Sequence, residues 1–561
     1  MNILGIYGAF DWDANRSFND MGNLTWVHDS GATLFANGKH ITSISEERLT
    51  RVKHEGNFPI NSINYCLREG NILHEDVDLV YVPSMCIDIF YKRSYEGSIQ
   101  NILKDIFPNA KVKFVSHHLC HASASVFSSD FNEGSFITLD GAGSLIFDHT
   151  FNPLMAETNS IGYFNKKKGV FRFFNGIPGS NNFGNFYHGL SHHIYCEKVN
   201  RRIDGNDEKY RETWDGKIMG LSAYGNVEMN DEHKLYSLSK ELFYDDVPYV
   251  AFNENPHIAF RFKNADEKAY ILQKNFENAL LDYVTELKNN SYLDDNICFS
   301  GGSFLNVLGN SVLKQSNLFE NIHIPPFPND VGLHFGAACY AVFKNKESVE
   351  LPTNISLLGK EYDNDEIEEI LKEQNLTYDK YDKFEDLCEV VAKELNENKI
   401  VGWFQNKSEF GPRALGARSI LMHPGPKENK DIINERVKHR EYWRPFAGII
   451  LEEYLNEYFV EDFNSPYMLY SLTVKDDKVD EIGAVTHVDN TCRVQTVNNK
   501  YNHQVTMLLQ KFKSISGLPI LLNTSFNDNG EPIVESPFDS INSFMNMDID
   551  FLAIGNFIVK K

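Results

Sequence analysis

The chain of 561 residues reads as two α/β domains. Three observations carry that expectation. A single hydrophobic core stops growing at about 250–300 residues, so a chain of this length divides. It opens with three strand-like runs, two of them joined by Asn37-Gly38, residues that suit the positive φ angles of a type I′ hairpin turn. Helical and strand-like periods then alternate, the pattern of sheets with helices packed on them.

The elements follow in order. Residues 2–7 give the first strand and 32–45 the hairpin. Helical patterns at 61–70 and 98–107 alternate with strands at 78–83 and 111–116, and a strand at 135–139 ends at Asp140-Gly-Ala-Gly143. Two strand signals lie near 160–175, a long helix spans 267–288, and a strand at 296–299 meets Ser300-Gly-Gly-Ser303. An apolar helix at 331–344 closes the first domain, 1–345. Residues 346–358 are aperiodic, contain Pro352 and read as a linker; residues 359–561 form the second domain. No solenoid-scale repeat is visible.

Composition narrows the function. Hydrophobic content of 42% and charged content of 24% are ordinary for a soluble globular protein. A net charge of −24 argues against nucleic acid or an anionic membrane as partner and suits a neutral or cationic small molecule. The N-terminus lacks the basic start and apolar run of a signal peptide, no stretch is long enough to span a bilayer, and the eight scattered cysteines form no Cys-x-x-Cys pair. A cytoplasmic protein with free thiols is expected, as a monomer or homodimer.

Two constellations carry chemistry. In His117-His-Leu-Cys-His121 the outer histidines lie four apart, on one face of a helix that follows a strand, where open α/β sheets place their sites. Asp140 ends the next strand and Asp330 begins the last helix. Two imidazoles and two carboxylates suit iron, manganese or zinc, although a histidine pair can equally be polar packing. The second constellation is Ser408–Ser419, Ser-Glu-Phe-Gly-Pro-Arg-Ala-Leu-Gly-Ala-Arg-Ser, after the strand-like run 399–404. Its Arg413 and Arg418, with Arg444, Arg493, Asn523 and Ser525 further on, form a candidate anion receptor; glycine and alanine between them let a ligand approach the main chain. Any one of these arginines alone reads as a surface ion pair.

Weaker signals remain. His28 has the pKa of a general base and also the look of an ordinary loop histidine. Glycine turns at Asp140–Gly143, Lys217–Gly220 and Ser300–Ser303 suit the approach of phosphate. Three opening strands and later glycine turns are what an actin/hexokinase-type nucleotide fold shows. The absence of G-x-x-x-x-G-K-[ST], G-x-G-x-x-G and G-x-S-x-G counts against P-loop, Rossmann and acyl-serine readings.

In chain order, His28-Asp29, Glu46–Arg48 with Arg51-x-Lys53-His54, His117–Ala122, Gly216–Gly225, Ser300–Asn306, Pro328–Gly332, Glu409–Ser419, Arg444–Ala447, Arg493–Val497 and Asn523–Ile533 resemble the NodU/CmcH family of O-carbamoyltransferases. The resemblance implies an N-terminal actin/hexokinase-like (ASKHA) domain similar to the tRNA threonylcarbamoyl transferases and a C-terminal YrdC-like α/β domain. It implies that ATP (with Mg2+) and carbamoyl phosphate give carbamoyl-adenylate in the C-terminal domain, and that the carbamoyl group passes to a hydroxyl of a small natural product or sugar in the N-terminal one. His117, His121, Asp140 and Asp330 would hold the metal, most often Fe2+ in that family. His28 would be the acceptor's base. Lys217, Gly220, Gly301, Gly302 and Asn306 would lie by the adenylate, and Arg413, Arg418, Arg444, Arg493, Asn523 and Ser525 would handle carbamoyl phosphate and ATP. A water-labile adenylate implies an internal passage between the domains. Residues 9–27 are longer and more polar than the family start and are expected to shape acceptor choice. The leading alternative is a small-molecule kinase of the same superfamily, which would release ADP and need no carbamoyl phosphate. A metal-dependent hydrolase, acting without ATP, is a second.

Overall fold

The computed structural model describes residues 1–9, 27–84, 89–147, 153–176, 181–201, 214–239, 248–253 and 255–561, so residues 10–26 of the polar N-terminal stretch lie outside the described residues. The chain forms two compact units: Met1–Thr50 with His54–Leu351, and Arg51–Lys53 with Pro352–Lys561. The division after Leu351 falls within 346–358. The excursion of Arg51–Lys53 into the second unit has no counterpart in the sequence pattern.

In the first unit, β1 (Asn2–Tyr7), β2 (Gly31–Ala36), β3 (Lys39–Ser45), β4 (Leu79–Ser84) and β5 (Lys111–Ser116) make a sheet in the order β3-β2-β1-β4-β5. The first three strands are antiparallel, while β4 runs parallel to β1 and β5 to β4. Asn37 (φ 50°) and Gly38 (φ 80°) make the expected hairpin turn. Helix α1 (Ile60–Gly70) covers this sheet by burying Ile63, Cys66 and Leu67, and ends where Asn71 turns left-handed.

The chain continues through β6 (Glu133–Leu139), a hairpin of β7 (Leu145–Phe147) and β8 (Pro153–Ala156), then β9 (Asn159–Asn165) and β10 (Val170–Asn175). A second hairpin, β11 (Tyr236–Ser239) with β12 (Tyr249–Phe252), precedes β13 (Asn296–Ser300) and β14 (Asn321–His323). The second large sheet has the order β10-β9-β6-β13-β14. β6, β9 and β10 are antiparallel, and β13 and β14 run parallel to β6. Strand order and direction repeat those of the first sheet. This doubled plan meets the expectation of an actin/hexokinase-type domain, and the sequence gives no trace of the duplication.

Two helices lock the halves together. Helix α2 (His117–Ser128) follows the first sheet in sequence but packs on β6 and β13 of the second. Helix α3 (Leu333–Lys344) follows the second sheet but packs on β1 and β4 of the first. They approach closely at Gly336, where a β-carbon would stand 1.9 Å from the Cys120 carbonyl oxygen. The exchange brings the N-terminal ends of both helices to the C-terminal ends of β1 and β6, where the candidate metal residues lie.

The second unit has one mixed sheet. Its strands are β15 (Tyr378–Lys380), β16 (Val401–Phe404), β17 (Arg418–Met422), β18 (Ala447–Leu451), β19 (Ser471–Thr473), β20 (Thr491–Val497), β21 (Ile520–Ser525), β22 (Phe551–Ile554) and β23 (Phe557–Lys560). They lie in the order β15-β23-β22-β16-β17-β21-β18-β20-β19. Helix α4 (Phe384–Asn396) buries Leu387, Val391 and Leu395, and α5 (His503–Ser516) buries Val505, Leu508, Leu509 and Phe512, on a shared core with Val401 and Trp403. Among the described residues, no helix is long and apolar enough to cross a membrane.

Candidate metal centre and anion site

The metal candidates converge. Ser116 caps α2 through its side chain, and the helix then projects His117 and His121 from one face with their Nε2 atoms 3.2 Å apart. Asp140 leaves the end of β6; its Oδ2 lies 3.3 Å from His117 Nε2 and 3.7 Å from His121 Nε2. Asp330, in the turn before α3, brings Oδ1 to 3.4 and 3.3 Å from the same two nitrogens. A tetrahedral ion with ligands at about 2.0–2.1 Å keeps those ligands about 3.3–3.4 Å apart. All four residues are buried. The separations and the nitrogen-oxygen donor set therefore fit a divalent transition metal.

Each carboxylate is aimed by a neighbour. The Gly302 N–H donates to Asp140 Oδ1 at 2.9 Å, and the Tyr7 hydroxyl donates to Asp330 Oδ2 at 2.9 Å. The oxygens left over face the imidazoles. The amide of Gly302, expected beside a nucleotide, orients the carboxylate of the candidate ligand Asp140. Tyr7 escaped the sequence reading altogether, its one signal being a polar aromatic as the last residue of β1.

The electrostatics of these residues without an ion predict a pH dependence. Burial disfavours the charged imidazole of His117, but the carboxylates of Asp330 and Asp140 outweigh it and lift its pKa to about 10. A pKa raised on folding stabilises the protein fully below the ordinary value of about 6.5, and that contribution is lost as pH rises toward 10. Chelated protein should therefore melt at steadily lower temperature from about pH 6.5 upward. Divalent metal displaces the proton, so metal-loaded protein should show a shallower decline and tighter binding at higher pH. Melting curves of both forms across this range test it; parallel slopes would refute it.

His28 stands at the edge of the cluster, its side chain 48% exposed, with Nε2 3.9 Å from Asp330 Oδ2. Its Nδ1 pairs with Asp29 Oδ2 at 3.0 Å, the Asn329 amide donates to the same oxygen, and His54 Nδ1 holds the other Asp29 oxygen at 2.8 Å. Asp29 (φ 60°) and His54 (φ 55°) are non-glycine residues in the left-handed region, each costing about 1–3 kcal/mol, which is typical of functional sites.

The expected nucleotide residues have local roles. Gly301 (φ 95°) passes so close to the Leu139 carbonyl that only glycine fits. Asn306 caps the helix Val307–Gln315 and exchanges amide hydrogen bonds with Gln273. Lys217 and Gly220 lie on the helix Asp215–Leu221, with Lys217 Nζ 4.5 Å from the centre of the Tyr195 ring.

In the second unit, Ser408–Ser419 wraps around one carboxylate. Glu409 is 3% exposed, and its Oε1 accepts the N–H groups of Leu415, Ala417 and Arg418 at 2.7, 2.9 and 3.1 Å. These amides are therefore spent on Glu409 and are not a bare main chain for a ligand. Replacing Glu409 by alanine leaves three buried donors unpaired and should destabilise the unit by at least about 3 kcal/mol, read as a lower denaturant midpoint. An unchanged midpoint would count against this role.

Arg418 is likewise internal. It is 0% exposed, donates to the carbonyls of Gln405, Asn406, Ala417 and Glu535, and stacks 3.6 Å from the centre of the Phe404 ring. These bonds hold the loop together. Ser525 donates to Asn527, and both accept from buried Lys438. Asn523 donates to the Ala414 carbonyl, and its own Oδ1 is buried without a hydrogen-bond partner among the described residues.

Arg413, Arg444 and Arg493 do cluster, joined by Arg440, which the sequence reading passed over. Burial and then the neighbouring positive charges depress the pKa of Arg413, Arg440 and Arg493, the last to about 10. The Nε atoms of Arg413 and Arg493 are buried with no partner among the described residues, and the nearest ion pair of the group is Arg444 with Glu441 at 3.8 Å. Neighbouring guanidinium groups that repel one another are suited to receiving an anion.

Both parts of the chain match one class of group-transferring enzyme. Residues 20–97 and 85–339 match the family profile described as Carbamoyltransferase N-terminus, and residues 392–561 match Carbamoyltransferase C-terminus. The chain belongs to the carbamoyltransferase family and is a carbamoyltransferase enzyme. Similar proteins include nodulation protein NolNO of Sinorhizobium fredii strain NGR234, 30% identical over 100% of this chain and 83% of that protein. Nodulation protein NolO of Bradyrhizobium diazoefficiens is 31% identical over 80% of this chain and 79% of that protein. Among solved structures, T. kodakarensis HypF has a TM-score of 0.36 at 12% identity, over 62% of this chain and 48% of that one. A ROK hexokinase from Thermus thermophilus has a TM-score of 0.31 at 10% identity, over 60% and 98%.

Proposed function

We propose that the second unit forms carbamoyl-adenylate from carbamoyl phosphate and ATP and that the first unit transfers the carbamoyl group to a hydroxyl of a small molecule, a sugar or natural product, neutral or cationic. The observation that carries this reading is the arginine cluster. A kinase of the actin/hexokinase type needs no second phosphorylated substrate, whereas a cluster of four guanidinium groups suits two phosphate-bearing ones.

Carbamoyl phosphate, ATP and water give carbamoyl-adenylate, orthophosphate and pyrophosphate. Water first cleaves carbamoyl phosphate to carbamate and orthophosphate; a carbamate oxygen then bonds to the α-phosphorus of ATP, and the bond to pyrophosphate breaks. Arg413, Arg444 and Arg493 hold the phosphates, with Lys438 fixed beside them, and the fixed charges stabilise the negative charge that moves onto the leaving group. In the transfer, the acceptor oxygen bonds to the carbamoyl carbon, AMP leaves, and the hydroxyl proton passes to His28. Asp29, on Nδ1, leaves Nε2 of His28 to take that proton. A divalent metal, for which Fe2+, Mn2+ and Zn2+ all suit the donors, would be held by His117, His121, Asp140 and Asp330 and supply positive charge for the carbamoyl oxygen or the adenylate phosphate.

The test incubates the enzyme with Mg2+, ATP and labelled carbamoyl phosphate and measures pyrophosphate and AMP with and without candidate hydroxyl acceptors. Release of both that requires carbamoyl phosphate supports the proposal; ADP formation without it would establish the kinase instead.

A further inference from the structure

We propose that Asn329 Oδ1 receives the amino group of the carbamoyl group being transferred, and so separates that group from an acyl group of the same shape. The inference rests on the proposed transfer from the adenylate in the first unit. Asn329 precedes the candidate metal ligand Asp330 and opens the short turn Asp330–Gly332 that leads into α3. Asparagine is among the best residues for such a position, because its side-chain oxygen can accept an N–H group of the first turn. Here it makes no such bond. Its amide is given to Asp29 instead. Nδ2 donates to Asp29 Oδ2 at 3.1 Å, the same oxygen that pairs with His28 Nδ1 at 3.0 Å.

A carboxylate only accepts hydrogen bonds, so the edge of the amide facing Asp29 is its NH2 edge, and Oδ1 is the atom left over. That oxygen is buried with no hydrogen-bond partner among the described residues, on a residue 9% exposed. The main chain around it is pinned on both sides. The Pro328 carbonyl accepts the Gly301 N–H at 2.7 Å, and the Asn329 carbonyl accepts the Gly332 N–H at 2.9 Å. A buried carbonyl oxygen is rarely left unpaired, and one held in that state beside the His28–Asp29 pair and a candidate metal ligand is suited to a donor on the substrate. Chemistry narrows the donor. The phosphate of the adenylate only accepts, and the acceptor hydroxyl gives its proton to His28. The carbamoyl NH2 carries two N–H bonds, and its lone pair is drawn into the carbonyl, so it donates and does not accept. A methyl group has nearly the same size as NH2, so shape cannot tell carbamoyl from acetyl. An oxygen that a methyl group would leave unpaired can.

The experiment uses the full-length protein and two analogues of the adenylate that cannot transfer, 5′-O-(N-carbamoylsulfamoyl)adenosine and 5′-O-(N-acetylsulfamoyl)adenosine. They differ only in NH2 against CH3. Both are titrated calorimetrically into wild type, Asn329→Ala and Asn329→Ser, each isotherm being fitted for up to two sites. The substitutions lie in the first unit, so a change that follows them reports the site of that unit. Wild type should bind the carbamoyl analogue about 10- to 100-fold more tightly than the acetyl analogue. Asn329→Ala should hold the two about equally. Loss of the bond to Asp29 weakens both analogues alike, so the ratio of the affinities, and neither affinity alone, is the readout. If Asn329→Ala fails to fold, Asn329→Ser, whose oxygen falls one bond short, is read on the same scale. A wild type that holds both analogues equally, or a preference that survives the substitutions, overturns the inference and leaves the proposed function standing; a ribose hydroxyl, the acceptor hydroxyl or an ordered water is then the donor. Wild-type protein that binds neither analogue defeats the proposed transfer from an adenylate, and this inference with it.

Discussion

Asp330→Asn should purify nearly free of metal and lose carbamoyl transfer, while pyrophosphate release from carbamoyl phosphate and ATP persists. Asp330 Oδ1 stands 3.4 and 3.3 Å from the two imidazole nitrogens, and an amide in its place removes a negative charge from a buried site where two histidines must give up their protons to bind. Losing an outer hydrogen bond to a metal ligand typically costs 10- to 100-fold in affinity, so losing the ligand itself should exceed about 100-fold. Tyr7→Phe supplies the calibrated comparison. It removes only the 2.9 Å hydrogen bond to Asp330 Oδ2 and should cost about 10- to 100-fold. Metal content after gel filtration, with Fe2+, Mn2+ and Zn2+ offered separately, measures both. An Asp330→Asn protein with one tightly held ion per chain would remove Asp330 from the ligand set.

The second large effect separates the two half-reactions. Arg493→Ala or Arg413→Ala should cut carbamoyl-phosphate-dependent pyrophosphate release by at least about 100-fold, because each removes a charged donor whose Nε is buried without another partner among the described residues. His28→Ala should leave that release intact and lower transfer to an acceptor by about 10²- to 10⁴-fold, the usual contribution of a general base. The opposite pattern would exchange the roles of the two units. Arg418→Ala belongs to neither group. Its guanidinium holds four carbonyl groups in place, so the variant should lose the fold of this loop before it shows a specific defect in KM.

What could be read from the sequence was what is local. Asn37-Gly38 dictates its turn within two residues, and the spacing of His117 and His121 places both on one helical face before any fold is known. Asp140 and Asp330 were legible from their places at the ends of elements, since sheets of this kind gather chemistry there. The rest depends on partners far along the chain. Tyr7 meets Asp330 across 323 residues, and Gly302 meets Asp140 across 162. Charge is visible in a sequence, but whether a guanidinium is free is not. Arg418 and Arg413 sit in the same twelve-residue block, yet one donates to four carbonyl groups and the other stands beside Arg444 and Arg493. The doubled sheet plan was invisible because burial constrains the pattern of apolar residues in each half without requiring similar residues at matching places.

The exchange of helices between the two sheets sets the order in which this protein can mature. His117 and His121 leave the ribosome with the first half, whereas Asp140 and above all Asp330 arrive with the second, just ahead of the helix that closes back onto β1. A nascent chain shorter than about 345 residues therefore lacks the helix that covers its first sheet, and until Asp330 has emerged it offers a metal ion an incomplete set of ligands. The four candidate ligands would be complete only late in the synthesis of the first unit, before most of the second has been made. An ion held by these four residues would therefore report the completion of the first unit.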